Sequence, residues 1–511
     1  MPDHTFPDNP AAIDYRVIAA LSLLLSLWLI AIDPVLNRDA ILYLRTADAY
    51  LQDGFAASLQ LFERPALSIC LALLHQLTGL PLVYAGLLLN SLFYALFCVT
   101  FVATVCTLGG DRQVQLIAAA VVLSHPTLND QRSAVVRDPA YWAFILLAFR
   151  QLLLYARQPG GGRLLAWYAC IALASVFRFE GLFFAALAPF CLLLTRELPR
   201  PLLHCLRLLA PTLLLLAVAA MALLFYPERL AQGEESLPAI ARYLDRLLAF
   251  PREFSDLARA SGEIMLDSFS REDATIATVA GFAAILALNI CRALTWPCML
   301  LMLWRLPRLR PLPHDKRIAL WAHIGICLLY LSTFTLLNHF MSERYATQLV
   351  IFLLLYLPFI LDQMWRAGRH SLLRSLAAGL LLLMAADSVH NLRYQKAFIR
   401  DAADWLVTHT PEQASIVSND QYLAYFSRRQ LDWKVATYTR FELENILAHG
   451  AYWQDKDFLV MLVKRRNQAA WEAFLQQQSL QEMVVFDGGR HGKVAIVDLK
   501  NARGDSHDVQ P

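Results

Sequence analysis

Apolar blocks recur along the first 390 positions of the chain and are separated by polar loops. A helix needs about 20 predominantly apolar residues to cross the roughly 30 Å hydrocarbon core of a membrane. By this criterion the pattern predicts about eleven transmembrane helices, near residues 17–32, 82–107, 114–128, 139–156, 164–177, 181–195, 208–226, 275–303, 318–337, 345–363 and 375–388.

Three further stretches of this region are not predicted to span. The apolar stretch 65–78 is too short, so we expect it at the membrane interface or only partly inserted. Segments 33–64 and 227–273 are rich in charge and contain amphipathic patches, which are typical of helices that lie on a membrane surface.

The C-terminal region changes to a pattern of strands alternating with helices. Helices are predicted at 402–409, from 441 to a cap at Gly450, and through Phe474. Strands are predicted at 414–420, 432–438, 457–463, 483–489 and 493–499. This alternation indicates a small α/β domain. We therefore divide the chain into a polytopic α-helical membrane domain and two C-terminal parts, with boundaries 1–390, 391–500 for the α/β domain, and 501–511 for a disordered tail.

Composition supports the membrane assignment. Of the 511 residues, 57% are hydrophobic and 17% are charged, whereas soluble domains have about 25% charged residues. The net charge of +3 is too small to indicate a nucleic-acid partner. The nine cysteines have neither zinc-type nor disulfide-type spacing, so we expect them to be packing residues. The first apolar stretch is followed by many others, which favours an uncleaved signal anchor.

The distribution of Lys and Arg among the loops predicts the orientation. If the N-terminus is cytoplasmic, the inside loops carry 14 positive residues and the short outside loops carry seven. Cytoplasmic loops of membrane proteins are enriched in positive charge. The bias therefore predicts a cytoplasmic N-terminus, and an odd number of spans places the C-terminal domain outside.

Ionisable and aromatic residues cluster at four places, all on the predicted outer side of the membrane. They occur in segments 37–54, 135–142, 177–181 and 338–345, and the residues of interest are Asp39, Tyr43, Arg137, Asp138, Tyr141, Arg178, Glu180, Glu343, Arg344 and Tyr345. Ionisable groups near spans are costly and usually functional. Carboxylates can accept a proton and guanidinium groups can bind a phosphate bidentately, which is the chemistry of a transferase acting on a phosphorylated lipid.

Each cluster also has a purely structural interpretation. Asp138 would be the N-cap of a helix that begins at Pro139. Arg178 and Glu180 would pair with each other at a helix break. Asp39, and the pair at 343–344, would be solvated loop charges. The shared side of the membrane favours the functional interpretation.

The order of these motifs resembles the GT-C superfamily of polyprenyl-phosphate-sugar-dependent glycosyltransferases, which includes the protein O-mannosyltransferases and the aminoarabinose transferases of lipid A. The similar motifs are an outer helix with the pattern D-x-x-x-Y-x-x-x-A from Asp39, a Pro-led apolar helix over 64–79, an R-x-E-G element at 178–181, an R-Y element at 344–345 and the segment 405–427. The first loop has R-D where relatives have an Asp-Glu pair, which leaves Asp33 or Asp39 as the functional acid. The Pro-Pro of the loop helix is reduced to Arg64–Pro65.

The resemblance implies a GT-C-like fold and an inverting glycosyltransferase at the periplasmic face of a bacterial inner membrane. A polyprenyl-phosphate sugar would be the donor, and a lipid, glycan or protein the acceptor. The expected roles are a catalytic base for Asp39; an acceptor site or second acid for Asp138 and Glu180; phosphate binding for Arg137, Arg178 and Arg344; and support from Tyr43, Tyr141, Glu343 and Tyr345.

No cofactor is expected, although Asp39 with Asp138 leaves a divalent cation open. The alternative function is a non-catalytic one, as an accessory scaffold or a lipid-linked glycan transporter. The mostly uncharged spans disfavour transport.

Overall fold

Helices form most of the chain, and a five-stranded sheet lies near its C-terminus. The computed structural model describes residues 11–33, 35–196, 198–225, 238–309, 312–367, 371–390, 397–431 and 443–500. The helices before residue 391 are Tyr15–Ile32 (α1), Arg38–Leu61 (α2), Ala66–Thr78 (α3), Leu82–Leu108 (α4), Arg112–Ser124 (α5), Pro126–Asn129 (α6), Asp138–Arg157 (α7), Gly161–Phe177 (α8), Gly181–Leu187 (α9), Pro201–Phe225 (α10), Pro238–Met265 (α11), Ala274–Leu294 (α12), Trp296–Arg305 (α13), His314–Asn338 (α14), Glu343–Leu354 (α15), Leu357–Arg366 (α16) and Ser371–His390 (α17).

Six of the described helical stretches are long and apolar enough to cross a membrane. They are Tyr15–Ile32, Leu82–Leu108, Asp138–Arg157, Ser268–Leu294, His314–Asn338 and Leu372–Val389. The pair α15 and α16, bent by 43° at its break, would be a seventh. The chain is therefore a multi-pass membrane protein. Several other apolar helices are shorter, so the number of eleven spans stays a prediction.

Two regions predicted as single helices are broken. The predicted helix 275–303 is interrupted at Thr295, which has a positive φ of 65° between α12 and α13. The predicted helix 345–363 is interrupted between α15 and α16. A proline occupies the first turn of each second helix, at Pro297 and Pro358. Proline donates no backbone hydrogen bond and fits the first turn of a helix, so a new helix begins there.

The described residues pack into two units. The first comprises residues 11–23, 93–129 and 137–388, and the second comprises 24–92, 130–136 and the C-terminal part from 389. The core of the first unit is aromatic: Trp142 and Phe149 of α7 contact Phe97 and Phe352, with ring centroids 5.7 and 5.5 Å apart. The predicted domain boundaries at 390 and 500 stay predictions.

The second unit contains α2, α3 and the α/β elements. Its C-terminal helices and strands are Ala397–His409 (α18), Ser415–Ser418 (β1), Gln421–Phe426 (α19), Gln430–Leu431 (β2), Leu443–Ala448 (α20), Phe458–Val463 (β3), Gln468–Gln477 (α21), Val484–Asp487 (β4) and Lys493–Asp498 (β5). The strand order is β2-β1-β3-β5-β4. Strand β1 is parallel to β2 and β3, and β5 is antiparallel to β3 and β4.

Two details of this sheet region differ from the prediction or lie outside it. The predicted strand 432–438 lies outside the described residues, and the short β2 immediately precedes it. The prediction that Gly450 caps a helix is wrong, because α20 ends at Ala448 and Gly450 begins a 3-10 turn. The side chain of Gln454 packs against Gly450, where a Cβ would lie 2.7 Å from it.

The described parts of the three stretches that were not predicted to span the membrane form helices. Helix α2 bends at Gly54, whose φ of 81° is readily adopted only by glycine. Helix α3 begins after Pro65 and ends at Gly79, which has a left-handed conformation with a φ of 71°. Helix α11 covers most of segment 227–273. Their position on the membrane surface stays a prediction.

Candidate active site

Four charged side chains from three distant segments meet within the first packing unit. Asp138 begins α7, Arg178 and Glu180 occupy the break between α8 and α9, and Arg344 lies in the first turn of α15. All four were predicted as site residues. We call this group the four-charge cluster.

Asp138 joins the two arginines of the cluster. Its Oδ1 accepts a hydrogen bond from Nη1 of Arg178. Its Oδ2 accepts from Nε of Arg344 at 3.0 Å and from Nη2 of the same residue at 2.5 Å. Hydrogen bonds between ionised groups are roughly twice as strong as neutral ones. Asp138 therefore fixes the orientation of both guanidinium groups.

Arg178 also binds Glu180. Its Nε and Nη2 donate to Oε1 of Glu180 at 3.0 and 2.6 Å, and the same oxygen accepts from the hydroxyl of Tyr330 at 2.8 Å. The Arg178 guanidinium lies 5.2 Å from the ring centroid of Tyr345 and 5.8 Å from that of Tyr141. Two carboxylates and two aromatic rings therefore surround this arginine.

Exposure distinguishes the two arginines. The side chains of Asp138, Glu180 and Arg178 are 1%, 4% and 8% exposed, whereas that of Arg344 is 26% exposed. The cluster contains two positive and two negative charges, as buried ion pairs require. Arg344 is therefore its most accessible charge.

A tight turn brings Arg178 and Glu180 to the cluster. The N–H of Arg178 closes α8 on the carbonyl of Ala174, and the N–H of Gly181 donates to the carbonyl of Arg178. At Gly181 a Cβ would lie 2.8 Å from the backbone nitrogen of Ser175. The glycine of the R-x-E-G element is therefore needed for the close approach of α9 to α8.

The interpretation of Asp138 as a helix cap is wrong. Helix α7 begins at Asp138 itself, and Arg137 is the residue before its first turn. Among the described residues, the hydrogen bonds of the Asp138 carboxylate go to arginines and none goes to a backbone N–H. The carboxylate is therefore held by the cluster and is buried within it.

Two site residues were not recognised from the sequence. Tyr330 binds Glu180, and Gln348 accepts a hydrogen bond from the hydroxyl of Tyr141 at 2.7 Å. The sequence did contain a signal for Gln348. Gln348 is four residues after Arg344, and Tyr141 is three residues after Asp138, so each lies on the face of its helix that carries the charge. A polar residue on that face of an apolar helix predicts membership of the site.

Oε2 of Glu180 and Nε2 of Gln348 are buried and have no hydrogen-bond partner among the described residues. One is an acceptor and the other a donor. Leaving such a group unpaired costs about 1–3 kcal/mol. The site therefore contains one unused acceptor and one unused donor.

The remaining predicted residues near these motifs have less direct contacts. Arg137 is partly buried, next to Asp138. The ring of Tyr345 packs against Phe334 with centroids 4.7 Å apart. Glu343 is partly exposed, and in the described part of the chain its carboxylate forms no ion pair or hydrogen bond with the cluster.

Asp39 and Tyr43 belong to the second packing unit. Asp39 is partly exposed in the first turn of α2, and Asn37 precedes that helix as its N-cap. Tyr43 is buried, and its ring contacts Phe62 with centroids 5.7 Å apart. Tyr43 is therefore a packing residue of the helix that carries Asp39.

A further acid of α2 binds the C-terminal domain. The hydroxyl of Tyr425 donates to Oδ2 of Asp48 at 2.9 Å. Burial raises the pKa of Asp48, and the hydrogen bond from Tyr425 opposes this effect. This contact joins α2 to α19 within the second unit.

Within the part of the chain that the structure describes, no group of three or more His, Cys, Asp or Glu side chains is arranged to hold a metal ion. The sequence left open whether Asp39 and Asp138 bind a divalent cation, and this stays untested.

No protein-family model and no curated protein matches the sequence. The structure does match solved structures. ArnT from Cupriavidus metallidurans, bound to undecaprenyl phosphate, matches with a TM-score of 0.39 and 14% identity, over 95% of this chain and 98% of that one. The Archaeoglobus fulgidus oligosaccharyltransferase, in complex with zinc and sulfate, matches with 0.47 and 12%, over 93% and 72%.

The chain is similar in structure to GT-C glycosyltransferases. A third such structure, the arabinofuranosyltransferase AftD from Mycobacteria, has a TM-score of 0.44 and 16% identity, over 97% of this chain and 40% of that one. All three TM-scores are below 0.5.

Proposed function

We propose that the protein is an inverting glycosyltransferase that moves a sugar from a polyprenyl-phosphate donor to an acceptor at the periplasmic face of the inner membrane. The observation that carries this proposal is the four-charge cluster. Three motifs predicted to form a phosphate site contribute to it, and its most exposed member is Arg344. A partly exposed guanidinium held in place by a buried carboxylate suits the binding of a lipid phosphate.

In this proposal the two arginines of the cluster have different roles. Arg178 is buried and is bound by both Asp138 and Glu180, so we assign it a positioning role. Arg344 would bind the donor phosphate and stabilise the charge that develops as this group leaves. Arg137, next to Asp138, would assist. Oε2 of Glu180 and Nε2 of Gln348 would bind hydroxyl groups of the sugar.

The proposed reaction needs one proton acceptor. Asp39 removes the proton of the acceptor hydroxyl while its oxygen attacks the anomeric carbon. The bond between that carbon and the phosphate oxygen breaks, and polyprenyl phosphate leaves with the electron pair. Attack from the face opposite the leaving group inverts the anomeric configuration. A paired phosphate is a good leaving group, so no metal is needed.

The test is sugar transfer by the full-length protein in membranes, from a panel of radiolabelled polyprenyl-phosphate sugars. Asp39→Asn preserves size but removes the base, so transfer should fall by about two to four orders of magnitude. Asp53→Asn, at an exposed acid of the same helix, is the matched control and should keep wild-type activity.

Normal transfer by folded Asp39→Asn protein would rule out Asp39 as the base. Asp33→Asn would then be tested, since the sequence leaves that acid open. No transfer by the wild-type protein from any donor of the panel would instead favour a non-catalytic scaffold.

A further inference from the structure

A cavity of about 240 Å³ lies within the second packing unit. It is lined by residues that precede or begin α2, by the end of β3 and residues that follow β1 and β3, and by one residue each of α18 and α19. Its charged members are Arg38, Asp420 and Lys464, and Tyr422 and Leu462 contribute to its wall.

The sheet explains why these residues meet. Strands β1 and β3 are parallel neighbours, so their carboxyl ends lie at the same edge. Asp420 follows β1, and Lys464 follows β3 directly. The side chain of Asn419 joins the two strand ends, because it donates to the carbonyl of Leu462 at 3.0 Å and accepts from the N–H of Leu462 at 2.7 Å. Crevices at the carboxyl ends of parallel strands are common ligand sites.

The charges of the cavity favour an anion. Asp420 is buried and is used by the fold, since Oδ1 accepts from the N–H groups of Tyr422 and Leu423 at the start of α19. Its other oxygen lies 3.8 Å from Nη2 of Arg38. Arg38 and Lys464 are exposed, so the side chains open to a ligand are both cationic.

The surroundings of Lys464 are electropositive. Partial burial lowers the pKa of its amine, and the neighbouring Arg38 and Arg466 lower it further, whereas Asp420 raises it. An anion between Arg38 and Lys464 would relieve this repulsion and gain two charge-assisted hydrogen bonds.

We propose that this cavity binds an anionic group, a phosphate or a carboxylate, carried by the acceptor of the transferase reaction. Its volume is below the roughly 300–1,000 Å³ of pockets for drug-sized ligands, so it accommodates one such group and not a whole glycan or polyprenyl chain. Asp39 follows Arg38 in the first turn of α2. The acceptor assignment rests on the proposed function, whereas anion binding does not.

The experiment measures protection of Lys464 from an amine-acetylating reagent in the full-length protein in nanodiscs, read by mass spectrometry. Inorganic phosphate is the probe, and sodium chloride at the same ionic strength is the reference. Relative to this reference, phosphate should slow acetylation of Lys464 at least about threefold, because an ion-paired amine must lose its partner before it reacts. Lys500, which is exposed and lies outside the cavity, is the control within the same molecule.

Variants identify the site. Arg38→Gln should abolish the protection of Lys464, and Arg465→Gln, at a neighbouring exposed arginine that does not line the cavity, should preserve it. Equal protection of Lys464 and Lys500, no protection by phosphate, or protection that survives Arg38→Gln would overturn the anion site.

A second arm separates the two sources of phosphate. Undecaprenyl phosphate added to the nanodiscs should leave Lys464 unprotected. If it protects Lys464, the cavity holds the donor phosphate and the acceptor assignment is wrong. Neither arm requires sugar transfer, so a failure of the proposed function would appear only in the Asp39→Asn assay.

Discussion

The roles of individual residues depend on how completely each charge is used by the fold. Asp138 binds two arginines and Arg178 binds two carboxylates, so replacing Arg178 leaves the buried carboxylate of Glu180 without its ion pair. Such changes typically cost about 3–5 kcal/mol of folding free energy. Arg344 is more exposed, and its substitution is therefore the informative one for ligand binding.

We predict that Arg344→Ala weakens binding of polyprenyl phosphate by about tenfold to a hundredfold, the range expected for losing a hydrogen bond to a charged group. Titration of the purified protein with undecaprenyl phosphate, followed by tryptophan fluorescence, measures this. Arg344→Lys should recover part of the affinity, because it keeps the charge but loses the bidentate geometry.

Arg259→Ala, at an exposed arginine of α11, is the control and should bind normally. Wild-type affinity in folded Arg344→Ala protein would remove this arginine from the phosphate site.

At the residue scale the sequence predicted a local ion pair but not the distant residues that join it. The R-x-E-G spacing indicated the pair of Arg178 and Glu180, which the structure contains. It carried no information that Asp138, forty positions earlier, would bind the same arginine, because hydropathy does not encode contacts between distant segments. Tyr330 was missed for the same reason.

At the scale of elements, the positions of most helices followed from the apolar pattern, and most errors were at breaks. The helix breaks at Thr295 and before Leu357 could have been predicted from the sequence, because a proline follows each. The close approach at Gly181 was not readable, because nothing in the sequence shows which backbone a glycine faces.

We predict that Gly181→Ala lowers thermal stability, because its Cβ would lie 2.6 Å from Oγ and 2.8 Å from the backbone nitrogen of Ser175. Overpacking of this kind costs about 1–3 kcal/mol. The midpoint of thermal unfolding, measured on the detergent-solubilised protein, reports the change.

The matched control is Gly281→Ala in α12, where a Cβ would meet open space. Alanine is preferred to glycine inside a helix, so this variant should be neutral or slightly stabilised. Equal effects of the two substitutions would contradict the close-approach argument.

The C-terminal sheet has an acid-sensitive contact. The carboxylate of Asp457 accepts hydrogen bonds from the N–H and Oγ of Ser415 at 2.7 and 3.0 Å. The backbone bond from Ser415 is the main cause that holds the pKa of Asp457 below its ordinary value, and Lys500 contributes. Because the folded-state pKa is depressed, the stabilisation is present above the unfolded pKa of about 3.9 and is lost as the pH falls through the folded value.

We therefore predict that the backbone amides around Ser415 exchange up to about fivefold faster as the pH is lowered below 4, after correction for the intrinsic exchange rate. This factor corresponds to the small stabilisation, up to about 1 kcal/mol, that a partly exposed charged contact provides. Hydrogen exchange with mass spectrometry measures this. Asp457→Asn should show fast exchange already at neutral pH and no acid transition, and Asp455→Asn, at an exposed neighbour, should behave like the wild type.

At the scale of the whole molecule, the sequence predicted a membrane region and a C-terminal α/β region but not the packing units. Segments 24–92 and 130–136 pack with the C-terminal part, although both precede most of the spans. The N–H of Val135 donates to the side chain of Asn37, and Nη1 of Arg132 donates to Ser26. Such contacts join residues about a hundred positions apart, which local periodicity does not reveal.

The buried arginines bear on the predicted orientation. Two of the seven positive residues counted on the outside, Arg132 and Arg178, are buried and hydrogen-bonded, so they are not solvated loop charges. Removing them leaves five outside against 14 inside, which strengthens the bias.

We predict that alkaline phosphatase fused after Lys500 is active and that a green fluorescent protein at the same point is dark, because each reporter works on only one side of the membrane. Fusions after Arg157, in a predicted inside loop, should give the opposite result. A fluorescent fusion after Lys500 without phosphatase activity would place the C-terminal domain in the cytoplasm and exclude a periplasmic acceptor site.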